Sequence, residues 1–193
     1  MKHGRAWWLL PVALSACAAH AAPPQVPKTS GQLLSRGLAY AQQGEDLAAE
    51  QYLAAARAAG APEARVVREL ITVCVRSGRL EQALRHGQLY VENHPEDKVV
   101  RHALASIYFA KGEALSARHE LQQLLAEWPE HADSHFLLAL ILRDQYADMA
   151  GARRSLEHYL ALAPSGPYAA EARAWIKRSA TFPVSALSAR RLP

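Results

Sequence analysis

A repeat of about 34 residues runs through the middle of the chain and limits its fold more than any other feature. Gly44, Gly78 and Gly112 follow one another at steps of 34. Ala49, Ala83, Ala117 and Ala152 follow at 34, 34 and 35, and Pro62, Pro95, Pro129 and Pro164 at 33, 34 and 35. Tyr40, Cys74 and Tyr108 keep a common phase, and Leu53 and Leu121 stand two periods apart. Small residues and prolines recurring together at this period predict helix–turn–helix units stacked side by side. Such a unit carries apolar residues on more than one face and cannot bury them alone. Stacking buries them, at about 1.5–3 kcal/mol for each large side chain.

On these residues, over about positions 30 to 179, the chain resembles the tetratricopeptide repeat (TPR) family. The resemblance implies an all-α fold, a right-handed α-solenoid of four helix hairpins at 30–63, 64–97, 98–131 and 132–166. The third repeat fits best, through Leu104, Ala105, Tyr108, Gly112, Ala117, Leu121, Leu124 and Pro129. Residues 167–179, with Tyr168, Ala172, Trp175 and Ile176 on one side, read as a helix that covers the open end of the stack. Residues 180–193 show no sustained period and read as a disordered tail.

Within the repeats, Gly44 is expected to end its helix as a C-cap. Pro62-Glu63, Pro95-Glu96 and Pro129-Glu130 are expected to open the helices that follow, with proline at the first helical position and an acid in the first turn. Gly87 stands where a large apolar residue is usual, so the second hairpin is expected to be the loosest. Between Gln145 and Ala152 the fourth repeat has no glycine in phase with Gly44, Gly78 and Gly112; Ala139 reads as its small packing residue, and the turn as one residue longer. Cys74 falls on an apolar phase and reads as a buried thiol.

The N-terminus reads as an export signal. Lys2 and Arg5 precede an apolar run from Ala6 to Ala16, 11 residues long and too short for the roughly 20 a membrane span needs. Leu14-Ser15-Ala16-Cys17 resembles the bacterial lipobox, which implies a signal peptide at 1–16 and a lipid on Cys17. Ala18 in place of aspartate after that cysteine points, by the same resemblance, to the outer membrane. Ala19-His20-Ala21 is an A-x-A site whose cleavage would instead release a soluble periplasmic protein. Residues 17–29, with three prolines and no apolar period, read as a flexible tether.

Charge argues against nucleic acid. The sequence pI is about 9.2, yet residues 33–165 carry 14 Lys+Arg against 17 Asp+Glu, and the positive excess sits at the two ends. A nucleic-acid binder concentrates basic charge on one face. His131 and His135 are four apart, and His102 and His119 flank the third repeat, but no third ligand stands near them in sequence. With no H-E-x-x-H, G-x-S-x-G, P-loop or C-x-x-C, the chain is not expected to be an enzyme or to hold a metal, cofactor or small-molecule substrate.

Binding of a protein or peptide segment remains. In the TPR family the first helix of each repeat lines a concave groove. Carried over by phase, the groove residues are Leu34, Leu38, Arg65, Arg68, Thr72, Arg76, His102, Ser106, Phe109, Phe136, Leu140, Arg143 and Asp144. Phe109 and Phe136 are expected as apolar anchors, and Arg68 and Arg76 as carboxylate partners. Leu34 and Leu38 replace the Lys and Asn of TPR domains that bind chaperone tails, which argues against a cytosolic co-chaperone. The expected role is a scaffold in a bacterial envelope that assists assembly of a machine such as a pilus or secretin. The other expectation is a soluble periplasmic module serving a maturation enzyme, as in cytochrome c assembly.

Overall fold

The computed structural model describes residues 29–181. The signal peptide, Cys17, nearly all of the tether and the tail from 182 lie outside the described residues. Helices account for the described part: α1 (Ser30–Gln43), α2 (Asp46–Ala58), α3 (Glu63–Arg76), α4 (Leu80–Val91), α5 (Lys98–Ala110), α6 (Ala114–Glu127), α7 (Ala132–Tyr146), α8 (Met149–Leu162) and α9 (Ala169–Thr181). No helix among the described residues is long and apolar enough to cross a membrane.

Each helix packs on the next, and the odd helices also touch along the row α1–α3–α5–α7. Contact between alternate helices along one row marks that row as the inside of a curved stack. The fold is therefore an α-solenoid of four hairpins closed by α9. Ala169 and Ala172 of α9 are buried against Phe136, Leu156 and Tyr159, and Trp175 and Ile176 add partly buried area.

The recurring alanines all lie in the buried interior. Ala49, Ala83 and Ala117 are fully buried and Ala152 nearly so. Three glycines of the period end their helices with φ of 71–79°, a left-handed conformation that costs glycine nothing. In the fourth repeat that left-handed residue is Ala147, φ 52°. The extra residue of this repeat lies inside α7, not in a long turn: only Ala147 and Asp148 separate α7 from α8. Asp148 then caps α8, its carboxylate accepting from the Gly151 N–H at 2.8 Å.

Two further expectations are corrected. Pro62 is the N-cap residue of α3, but Pro95 and Pro129 lie in turns before their helices, and the caps of α5 and α7 are Asp97 and His131. Proline cannot continue the preceding helix, and Asp97 accepts from Val99 and Val100 N–H, a better cap than Glu96 can make. Gly166-Pro167 likewise forms a turn, and α9 begins at Ala169.

Gly87 does not leave a gap. A Cβ built there would stand 2.6 Å from Leu104 Cδ2 and 3.4 Å from Ile71 Cδ1. Ile71 holds the phase that Gly37 holds in the first repeat, where a Cβ would meet Leu53 Cγ at 2.8 Å. The large and small partners are exchanged between the helices.

Candidate functional site: the groove along the odd helices

Two clefts open between successive odd helices. The first, between α1 and α3, encloses about 240 Å³ and is lined by Leu38, Ala41, Gln42, Arg65, Glu69, Thr72 and Arg76. The second, between α3 and α5, encloses about 500 Å³. Its floor is apolar: Ile71, Val75, Leu80, Ala103, Ile107 and Ala110. Thr72, Arg76, His102 and Ser106 supply its polar edge. Thr72 and Arg76 line both clefts, so the two form one continuous groove.

Of the residues expected there, Leu38, Arg65, Thr72, Arg76, His102 and Ser106 line this groove. Leu34 does not. It is 6% exposed in the core of the first hairpin with Ala49, Leu53 and Val66, because apolar burial there outweighs its place in the phase. Phe136 is also 6% exposed and serves as core, not anchor. Its ring stacks on Tyr168 at 4.3 Å and tilts against Tyr159 at 5.4 Å, so Tyr159 of α8 and Tyr168 of the turn before α9 claim the face a ligand would need. Phe109 and Leu140 are half-buried against neighbouring cores.

The arginines are more occupied than their spacing implies. Arg68 donates to Asp97 at 2.7 Å. Arg76 pairs with Asp46, which also accepts from Ser77. These contacts hold the Asp46 carboxyl below its usual range and push the Arg76 guanidinium up. Arg143 pairs with its neighbour Asp144, with bonds of 2.5 and 2.8 Å. Arg65 is exposed and has no ion-pair partner among the described residues, which makes it the open cation of the groove.

His102 is fixed from behind. Its Nδ1 lies 3.0 Å from Ser134 Oγ, and Ser134 Oγ lies 2.9 Å from His131 Nδ1. Ser134 is fully buried. One hydroxyl has a single proton to give, so one imidazole donates to it and the other accepts. Burial lowers the pKa of both histidines, and His131 adds to the effect on His102.

Sequence phase missed Val75 and Ala110. Val75 is 42% exposed on the groove floor. It stands one period before Phe109, and Ala110 one period after Arg76, so the same phase that nominated those two already marked both.

The sequence profile of the tetratricopeptide repeat matches residues 34–98 and 102–170. The chain belongs to the tetratricopeptide repeat family. Among solved structures it is similar to a tetratricopeptide repeat protein of Parabacteroides merdae ATCC 43184, with 23% identity and a TM-score of 0.68. That match covers 79% of this chain and 60% of the other, so the chain spans somewhat more than half of that protein's length. It is also similar to YrrB, described as a TPR protein with an unusual peptide-binding site (19% identity, 75% of this chain and 74% of that one, TM-score 0.64). A third similarity is to MamA, at 17% identity, 85% and 96% coverage and a TM-score of 0.65. At these identities the likeness concerns the fold. No protein of curated function matches the chain.

Proposed function

We propose that this protein is a non-enzymatic adaptor that holds an extended protein segment along the α1–α3–α5 groove. The observation that carries the reading is the cleft between α3 and α5, apolar on its floor and polar only at its rim. A short apolar side chain of the ligand sits over Val75 and Ile107, and an acidic group beside it reaches Arg65 in the adjoining cleft. His102 and Ser106 take backbone groups of the segment. That YrrB is described as binding a peptide adds support from a protein of like fold.

Selection from a displayed peptide library against the purified chain tests this. Enriched peptides combine an aliphatic residue with a nearby Asp or Glu, and lose binding at least tenfold to Val75→Asp and to Arg65→Glu. Peptides that bind both variants as well as the native chain overturn it.

The cellular setting we propose is the bacterial envelope, with the chain lipidated on Cys17 at the periplasmic face of the outer membrane. The support is the Leu14-Ser15-Ala16-Cys17 sequence behind a short apolar run. Several acyl chains on one cysteine, at about 0.8 kcal/mol per buried CH₂, anchor a protein stably. There it serves assembly of an envelope machine such as a pilus or secretin. Fatty-acid labelling lost in Cys17→Ser supports the anchor. An unlabelled chain that begins at Ala22 supports the soluble periplasmic form serving a maturation enzyme.

A further inference from the structure

We propose that Glu50, Cys74 and His86 form a binding site for one divalent cation of the zinc type, clipping α2, α3 and α4 together. The three residues come from three helices, and one ligand atom of each lies within 4.8 Å of the other two. No short spacing in the sequence announces the trio; the hairpin packing brings it together.

Three independent features favour a ligand role over plain packing. First, the Nε2 of His86 is buried with no hydrogen-bond partner among the described residues, an arrangement that native structures seldom leave unexplained. Second, Cys74 is a free, fully buried thiol beside it. Third, the same positions are occupied differently one repeat earlier. Tyr40 and Tyr52 stand one period before Cys74 and His86, and their rings stack at 5.3 Å. The second repeat replaces a stacked aromatic pair with two metal-ligating side chains.

The donor set fits the ion. Thiolate, imidazole and carboxylate all bind Zn²⁺, and three protein ligands with water in the fourth position is a common arrangement. Bonds of about 2.0–2.3 Å place tetrahedral ligand atoms about 3.3–3.8 Å apart, so the trio, within 4.8 Å of one another, must contract by up to about 1.5 Å on binding. Glu50 and His86 are half-buried, which leaves a side open for that water. Outer contacts are in place as well. Arg79 holds one Glu50 oxygen and Gln82 the other, fixing the carboxylate as supporting residues fix ligands in metal sites. The carboxylate and a thiolate supply two negative charges against the dication, with the Arg79 guanidinium paired to Glu50 leaving a single positive excess, and the thiol is the residue that must lose a proton. Burial raises the pKa of Cys74 and lowers that of His86, so the imidazole is kept in its neutral, ligating form.

Cobalt is the probe, because a thiolate ligand gives Co²⁺ a near-ultraviolet charge-transfer band. Co²⁺ added to the untagged full chain is expected to bind one ion per chain, give that band, and be displaced by Zn²⁺. The band is expected to persist in Cys17→Ser, vanish in Cys74→Ala, and need at least tenfold more metal in His86→Ala and Glu50→Gln. Zn²⁺ should also protect Cys74 of the native chain from alkylation, a readout that needs no core variant to fold. Absence of the band, its loss in Cys17→Ser, or an affinity unchanged in His86→Ala or Glu50→Gln overturns the site.

Discussion

The first and second hairpins solve one packing problem in opposite ways. In the first, Gly37 on the first helix makes room for Leu53 on the second. In the second, Ile71 replaces the glycine, Gly87 replaces the leucine, and Leu104 from the next repeat leans into the remaining space. The contact volume is kept while its contributors change sides. Between them the alanine phase does not vary: Ala49 and Ala83 are both fully buried. The exchange occurs where two side chains share a space, whereas the buried alanine positions keep one small residue in all four repeats.

That contrast can be broken experimentally. The largest effect is expected at the invariant phase. Ala117→Arg forces a charge into a fully buried contact and should cost about 4 kcal/mol or more, removing the cooperative thermal transition of the central repeats. Next comes Gly87→Leu, which overpacks against Leu104 and Ile71 and should cost about 2–3 kcal/mol in urea unfolding. If exchange is the rule, adding Ile71→Ala recovers about 1 kcal/mol of the summed loss; strict additivity in that cycle denies the exchange.

The junctions between repeats differ in a related way. Asp46 and Arg76 join the first two repeats as ions, whereas Ser134 joins the last two through His102 and His131. Burial keeps those histidines neutral in the folded chain, so each has a pKa below its unfolded value of about 6.5. The unfolded chain then binds more protons. Stability is full above about pH 6.5 and declines as pH falls through that value towards the lowered folded pKa values. His86 acts in the same direction. A urea midpoint that falls between about pH 7.5 and 5.5, and falls less in His102→Gln, is the expected result. The smallest effect belongs to the fourth turn. Ala147→Gly relieves a left-handed alanine and should stabilise by about 0.5–1 kcal/mol, whereas Gly112→Ala should destabilise by a similar amount.

The period made the solenoid legible because tight turns and close helix contacts demand particular small residues at fixed offsets. Gly44, Gly78 and Gly112 could be placed in turns, and Ala117 in a contact, from spacing alone. Other features depended on which neighbour claims a face. Phe136 has a groove phase, but Tyr168 of the closing segment covers it, and nothing local in the sequence reports that contact. Leu34 was lost from the groove for the same reason. Arg68 and Arg76 were placed correctly on α3, yet their carboxylate partners lie 29 and 30 residues away, beyond what local spacing can show. The turn of repeat four was misplaced because an alanine there adopts a conformation that normally advertises itself as glycine.

Asp97 belongs to both halves of the array. It caps α5 through two backbone amides, accepts from Arg68 on α3, and accepts from Tyr90 on α4 at 3.1 Å. Burial alone would raise its pKa, but the Arg68 guanidinium and these donors outweigh that and lower it. Amides at the start of α5 should therefore exchange with deuterium no faster than those of the preceding hairpin. Domain breathing would then have no cheap seam at that boundary, and the middle of the rod would open as one block.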